Sequence, residues 1–293
     1  MQMSETSMPA QSQDEVLILR PSRGWSAINL RDLWFYRELI YFLTVRDIKV
    51  RYKQTALGAA WAIIQPFFTM VVFTIFFKQL AKVPTDGLPG PIFYYTGLLP
   101  WGLFTKALSD TGRSMVANRN MITKVYFPRL VIPISSVLSG LVDFAIAFVV
   151  LMGMLVYYNY FSGGVYHVTL TSKVWTLPLF LLLAIVTALG VGLWLSAMNV
   201  IYRDIGYVLP FLTQFWLFVT PVPYPSSMIP EKWQLLFGLN PMTGVVEGFR
   251  WALLGTGTPP GPMLAISTAI ALVILISGLF YFRRMERTFA DMV

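Results

Sequence analysis

The sequence predicts an all-α integral membrane protein with six transmembrane helices. An N-terminal interfacial helix precedes the spans, and short external re-entrant helices lie between spans 5 and 6. Hydrophobic residues make up 56% of the chain and charged residues only 12%, against roughly 25% charged in soluble domains. Six apolar stretches approach the length of about 20 residues that a bilayer span requires: residues 57–77, 91–108, 130–158, 175–200, 205–221 and 262–282. Because the fifth is short, we expect it to be tilted, or to be a half-span that continues into the segment behind it.

Basic residues are sorted among the loops, and this sorting predicts the topology. Of the 22 Lys and Arg residues, eight precede the first span, five lie between 106 and 129, one is Arg203 and three follow the last span. The alternate loops hold only the remaining five: Lys78, Lys82, Lys173, Lys232 and Arg250. Cytoplasmic loops attract positive residues, so both termini are expected inside, as the even span number also requires. The net charge of +8 therefore reflects topology and contact with membrane lipids, and no nucleic-acid partner is expected.

Composition excludes several classes of site. The chain has no cysteine and a single histidine, His167, so disulfides, thiolate chemistry and Cys or His metal sites are not expected. Residues 1–29 lack the apolar core and cleavage site of a signal peptide. We expect them to form a disordered cytoplasmic tail.

Residues 30–53 are too charged to cross a membrane and too apolar for a solvated linker. They are expected to form an interfacial amphipathic helix, before a membrane domain at residues 54–293. Its side chains of interest are aromatic and basic: Trp34, Phe35, Tyr36, Arg37, Arg46, Lys49 and Arg51. Two arrangements stay open: a helix in the headgroup layer, or a helix packed against the protein's own membrane domain.

Residues 112–129 form a cytoplasmic connector in which apolar and polar residues alternate. A bare turn would need only about two to eight residues. The pattern predicts one or two short helices with an apolar side and a cationic side, closed by Pro128. The extra length suggests a docking element.

Residues 222–261 form an external connector broken by prolines. Residues 233–239 and 240–255 are apolar but too short to span, so two short helices dipping into the outer leaflet are expected. Asn240 followed by Pro241 is a favourable helix start. Glu247 and Arg250 are three residues apart and are expected to pair on one helix face.

Several of these stretches resemble one family. Residues 45–66, VRDIKVRYKQTALGAAWAIIQP, closely resemble the N-terminal signature of ABC-2-type polysaccharide export permeases. Shorter resemblances occur at residues 126–129 (YFPR), 202–205 (YRDI) and 240–250. The resemblance extends from about Leu30 to the C-terminus. It implies a homodimer in the bacterial inner membrane, with two copies of a cytoplasmic ABC ATPase. The implied substrate is a lipid-linked polysaccharide such as O-antigen, capsule or teichoic acid.

The resemblance also implies roles for particular residues. The loop after the second span docks into the ATPase, which corresponds to Arg113, Asn118, Arg119, Asn120, Met121 and Lys124. The external helices act as a gate, which corresponds to Trp233, Asn240, Pro241, Glu247, Arg250 and Trp251. The sequence contains no G-x-x-x-x-G-K-[ST] phosphate loop. ATP and Mg²⁺ are therefore expected on the partner subunit, and no cofactor on this chain.

Aromatic residues reach 15% of the chain and suggest a path on which sugar rings stack. The candidates for the translocation path are Phe67, Phe68, Tyr94, Tyr95, Trp101 and Asp143. Lipid contact and internal packing also account for such aromatics. Asp143 lies inside the third span, where it is expected either to meet a residue of another helix or to cap a polar path. Lys106 and Asp110 are four apart and are expected to pair.

Two other classes of membrane protein would need residues of a different kind. A gradient-driven carrier or lipid flippase without an ATPase needs ionisable groups in the membrane, and Asp143 is the one such acid inside a span. A membrane prenyl or glycosyl transferase needs clustered carboxylates. The only adjacent pair is Asp14–Glu15 in the N-terminal tail, so catalytic residues are not expected.

Overall fold

The computed structural model describes residues 30–53, 58–161, 172–256 and 261–286 together with Phe289. Within these residues the chain forms helices and no strand. The tail predicted for residues 1–29, and the residues that join the interfacial helix to the first span, lie outside the described residues. His167 lies outside them as well.

Eleven α-helices run through the described residues in the following order. The first five are α1 (Leu30–Phe35), α2 (Arg37–Lys53), α3 (Trp61–Phe73, continued by π-helical turns at Thr74–Leu80), α4 (Gly90–Ala117) and α5 (Arg119–Lys124). The others are α6 (Val131–Phe161), α7 (Leu177–Ile201), α8 (Ile205–Val219), α9 (Glu231–Phe237), α10 (Pro241–Leu254) and α11 (Pro262–Met285). Single 3₁₀ turns lie at Gly58–Ala60, Ser172–Thr176 and Ser226–Met228.

Four segments of the described chain are long and apolar enough to cross a bilayer: Trp61–Leu80, Val131–Tyr160, Ser172–Ile201 and Pro262–Met285. They coincide with predicted spans 1, 3, 4 and 6. The helix α8 is apolar but has only 15 residues. The helix α4 has 28 residues, a length of about 42 Å, which is enough to cross a bilayer. It is not among these four segments because its sequence is more polar than theirs. The structure thus supports a multi-pass helical membrane protein, and the count of six spans stays a prediction.

The polarity of α4 follows from its position at the centre of the bundle. It packs against α3, α6, α7, α8 and α10, and most of its side chains are buried. A helix enclosed by other helices does not need an apolar surface for lipid. The bundle core contains buried side chains from four helices: Tyr94, Phe104 and Leu108 of α4, Leu151 of α6, Phe180 of α7, and Phe249 of α10.

The helices α7 and α11 cross at two glycines. A Cβ atom on Gly278 would lie 2.4 Å from the carbonyl oxygen of Gly190, and one on Gly190 would lie 2.8 Å from the Cα of Leu275. Both contacts are to backbone, which cannot rotate away as a side chain does. Small residues at this crossing therefore allow the close approach that van der Waals packing in a membrane needs.

A second hydrophobic cluster lies at the end of the bundle that carries α2 and α5. Its buried members include Leu43 of α2, Met115 of α4, Ile122 of α5, Val131 of α6, Ala197 of α7, and Phe282 of α11. This cluster joins two short peripheral helices to the ends of four long ones. We call this assembly, α2 and α5 with the adjoining ends of α4, α6, α7 and α11, the basic platform.

Candidate coupling platform and translocation surface

The helix α2 packs against the protein's own bundle. Leu43 on its inner side is only 2% exposed, and the helix contacts α6. Aromatic side chains of α1 and α2 are 65–74% exposed: Trp34 and Phe35 of α1, and Tyr41 and Phe42 of α2. Of the two arrangements left open by the sequence, packing against the membrane domain is observed. The outward aromatics remain available for lipid headgroups, which stays a prediction.

A hydrogen bond joins α2 to the turn between α4 and α5. The guanidinium of Arg46 donates to the side-chain oxygen of Asn118 at 2.8 Å and to Asp47 at 2.7 Å. The amide of Asn118 in turn donates to the carbonyl of Ser114 at 2.9 Å. Asn118 and Arg46, predicted in separate elements, therefore hold those elements together.

The helix α5 has the two sides that the sequence predicts. Ile122 is buried in the platform core and Met121 is partly buried, whereas Arg119, Asn120 and Lys124 are exposed. The exposed side chains form a small cationic surface at the end of the bundle. Arg113 points elsewhere, because its guanidinium donates to the carbonyl of Gly206 at the start of α8, at 3.1 Å.

A network of charged side chains lies just inside the platform. One guanidinium nitrogen of Arg51 is 2.7 Å from a carboxylate oxygen of Asp143, and the other is 3.1 Å from Asp110. Lys106 lies 3.5 Å from Asp110, as its spacing predicted. The hydroxyl of Tyr52 donates to Asp143. Burial, reinforced by this hydrogen bond and the charge of Asp143, raises the pKa of Tyr52 to about 12.

The predicted path aromatics divide into two groups by exposure. Tyr94 and Tyr95 are 0% exposed and Trp101 is 6% exposed. The hydroxyl of Tyr95 donates to the carbonyl of Ala147 at 3.2 Å, so these rings contact protein in this conformation. Phe67 and Phe68 on α3 are exposed at 43% and 63%. The roles of all these residues stay predictions.

A surface that the sequence prediction missed lies on α8. Tyr207, Phe211, Phe215 and Phe218 are 52–83% exposed. Their spacing of four, four and three residues places them on one face of the helix, which we call the α8 aromatic stripe. The opposite face packs inward, with the ring of Trp216 5.0 Å from that of Phe104. The spacing of these four aromatic residues is present in the sequence, but it is difficult to recognise in a chain that is 15% aromatic.

The helix α10 begins as its sequence predicts. The side chain of Asn240 accepts a hydrogen bond from the backbone N–H of Met242 at 3.1 Å, and Pro241 occupies the first helical position. Nearly every residue of α10 is buried between α4, α7 and α11. Trp251 near its end is partly buried, with the ammonium of Lys173 4.8 Å from its ring.

By contrast, α9 lies at the surface. Trp233 is 49% exposed and borders an apolar groove of about 350 Å³ that Phe77, Tyr224, Met228 and Phe237 also line. Burial raises the pKa of Tyr224.

Arg250 of α10 is buried and makes several polar contacts. It lies 3.0 Å from Glu247 and donates to the carbonyls of Pro221 at 2.5 Å and Val222 at 2.8 Å. Its guanidinium also lies 3.8 Å from the centre of the Phe93 ring on α4. Ser226 donates to Glu247 at 2.7 Å. One buried arginine therefore holds α10, α4 and the connector after α8 together.

The chain is similar in sequence to known membrane transport proteins. The family model described as ABC-2 type transporter matches residues 38–254. The O-antigen export system permease protein RfbA of Klebsiella pneumoniae is 28% identical over 262 residues, which cover 89% of this chain and 97% of that protein. The RfbA protein of Myxococcus xanthus is also 28% identical, with 90% and 98% covered. The polysialic acid transport protein KpsM of Escherichia coli is 24% identical, with 83% and 92% covered.

Proposed function

Because this chain belongs to the ABC-2 type transporter family, we propose that it is the membrane subunit of an ATP-driven exporter of lipid-linked polysaccharide. Relatives named for O-antigen export and polysialic acid transport align with most of their length and most of this chain. The alignment therefore includes the helices that would carry the cargo, and the proposed cargo class is a bacterial surface polysaccharide.

The proposed assembly is a homodimer in the bacterial inner membrane with two copies of a cytoplasmic ATPase. The ATPase holds ATP and Mg²⁺. The basic platform faces the cytoplasm, because positive residues concentrate in cytoplasmic loops. In this orientation both termini lie inside, and α9 and α10 lie at the outer side.

The cationic surface of α5 is the main structural support for a partner ATPase. Arg119 and Lys124 are exposed on a helix whose other side is anchored in the platform core. Such a helix can receive a contact from a separate protein without losing its own packing. We assign Arg119, Asn120 and Lys124 to direct contact with the ATPase, and Arg113 and Asn118 to the support of α5.

The platform suggests how the movement is passed on. The hydrogen bond between Arg46 and Asn118 and the shared hydrophobic core make α5, α2 and four helix ends one mechanical unit. When the ATPases close on ATP, displacement of α5 moves this unit. The long helices then rearrange at the dimer seam, the glycan passes outward, and α9 and α10 gate its exit.

Exposed aromatic side chains on α3 and α8 supply a surface for the glycan. Phe67, Phe68 and the α8 aromatic stripe present ring faces that are not used in the subunit core. Aromatic rings offer large contact areas with a fixed geometry, which suits a polymer that slides. Tyr94, Tyr95 and Trp101 support this surface from within the bundle.

The ion pair of Asp143 with Arg51 argues against the gradient-driven carrier. A carrier of this kind would use an intramembrane acid that gains and loses a proton. Both carboxylate oxygens of Asp143 are instead held by protein, one 2.7 Å from the guanidinium of Arg51 and the other by the hydroxyl of Tyr52, so this acid serves as a link between helices.

A charge-reversal experiment tests the docking assignment. Arg119→Glu combined with Lys124→Glu is expected to abolish export and to release the ATPase, while the permease remains inserted in the membrane. Lys82→Glu with Lys232→Glu makes the same charge change on exposed residues at the opposite end and is the matched control. Co-purification of the ATPase and export of polysaccharide are measured for both. Normal export by the Arg119/Lys124 variant would remove the docking assignment.

A further inference from the structure

Arg51 contacts two long helices at once from the C-terminal end of α2. One of its terminal nitrogens lies 2.7 Å from Asp143 of α6, and the other lies 3.1 Å from Asp110 of α4. The second nitrogen also donates to the hydroxyl of Ser139 at 3.2 Å. The flat guanidinium fork thus holds one carboxylate on each of two neighbouring helices.

The geometry is specific to arginine. A lysine ammonium is a single point donor, whereas a guanidinium holds five N–H groups in a rigid plane. Here the two terminal nitrogens of the guanidinium bind carboxylates on two different helices. Charges within the group balance, because Arg51 and Lys106 face Asp110 and Asp143.

Partial shielding makes these contacts stronger than ordinary surface ion pairs. The side chains of Arg51, Asp110 and Asp143 are 24%, 31% and 20% exposed. Exposed pairs contribute little because water screens them. A pair with most of its surface covered by protein is screened less, so the network resists separation of α2 from α4 and α6.

The position of Arg51 along α2 is complementary to that of Arg46. Arg46 joins α2 to the turn before α5, whereas Arg51 joins α2 to α4 and α6 further into the bundle. Five residues of helix separate the two, a rise of about 7.5 Å. The hydroxyl of Tyr52 adds a hydrogen bond to Asp143, whereas apolar contacts such as that of Leu43 have no preferred direction. Among these directional links, Arg51 is the one that reaches both α4 and α6.

We infer that Arg51 is a positioning residue for export, which transmits displacement of α2 to α4 and α6 through Asp110 and Asp143. This inference rests on the proposed function. Without the link, the ATPase still binds α5 and hydrolyses ATP, but the parts of α4 and α6 beyond the platform no longer follow the movement of α2.

The test uses the permease with its ATPase in proteoliposomes. For Arg51→Ala we expect the same amount of ATPase bound per permease and retained ATP hydrolysis. The amount of polysaccharide exported per ATP should fall roughly tenfold. Arg51→Lys should restore part of the yield, since lysine can hold one carboxylate. Lys53→Ala removes an exposed cation two residues away and should export normally. Normal export per ATP by Arg51→Ala, or loss of the ATPase from that complex, would overturn the inference.

A second variant separates transmission from charge balance. Arg51→Ala removes one of the two cations of this group and leaves one negative charge unbalanced, which could destabilise the bundle. Arg51→Ala with Asp143→Asn removes that imbalance, because Lys106 then faces Asp110 alone. We expect this variant to fold stably and to remain uncoupled, and recovery of coupled export would contradict a transmitting role. The wild-type complex tests the proposed function independently of Arg51. If it shows no ATP-dependent export, the proposed function itself is wrong.

Discussion

Glu247 and Arg250 lie one turn apart on α10 and form an ion pair of 3.0 Å with side chains only 4% and 2% exposed. The two terminal nitrogens of the guanidinium contact this carboxylate and backbone carbonyls of the connector, and its plane lies against the ring of Phe93. The pair therefore belongs to the structural core of the α10 end, although the sequence marked both residues for an external gate. A gate that moves would have to carry this cluster as a unit.

Removing one partner of this pair is expected to destabilise the protein strongly. Arg250→Ala leaves Glu247 charged and buried, which costs about 3–5 kcal/mol. Thermal unfolding of the detergent-solubilised protein measures the loss. Lys232→Ala, which removes an exposed cation at the same end, should leave the unfolding temperature nearly unchanged. Equal stability of the two variants would mean that the pair does not support the fold.

The crossing of α7 and α11 supplies a second stability prediction. Gly278→Ala places a methyl group against the carbonyl of Gly190, so the two helices must separate. Overpacking of this kind costs about 1–3 kcal/mol, read as a lower unfolding temperature. Gly153→Ala adds the same methyl group to α6 where nothing lies within 4 Å. The crossing is less tight than described if both variants unfold at the wild-type temperature.

The α8 aromatic stripe should affect transport without affecting stability. Phe211→Ala with Phe215→Ala removes two exposed rings, so we expect slower export at normal expression and an unchanged unfolding temperature. The matched control is Leu272→Ala with Ile276→Ala, which removes exposed apolar side chains of α11. Export is measured per inserted transporter. If both pairs export at the same rate, the stripe serves lipid contact and not the glycan.

Alanine at Tyr94, Tyr95 and Trp101 should also slow export, but by a different route. These rings are buried in the subunit, and deleting a buried aromatic costs about 3–5 kcal/mol. We therefore expect less folded protein as well as slower export per folded transporter. Size-exclusion chromatography of the solubilised variants gives the folded fraction. Wild-type flux per folded transporter would leave these residues with packing alone.

Features set by neighbours in the chain were predictable from the sequence. The start of α10 at Asn240 and Pro241 and the pairs Lys106–Asp110 and Glu247–Arg250 are all confirmed. Each depends on helix geometry over one turn. The burial of Ile122 on one side of α5 and the exposure of Arg119 and Lys124 on the other also follow from the local residue pattern.

Features set by tertiary packing were not predictable in this way. Arg51 and Asp143 are 92 residues apart, and no local rule pairs them. The burial of Tyr94 follows from its place at the centre of the bundle, which composition does not reveal. The same central position explains why α4 is less apolar than a lipid-facing span.

Reconstitution in vesicles decides whether a separate ATPase powers this membrane subunit. Vesicles that contain the permease and its ATPase are supplied with labelled lipid-linked polysaccharide, and its appearance on the opposite side is followed. We expect transfer to require both proteins and hydrolysable ATP with Mg²⁺, and to be insensitive to uncouplers. Transfer by the permease alone, driven by a proton or sodium gradient without nucleotide, would show that no ATPase is needed.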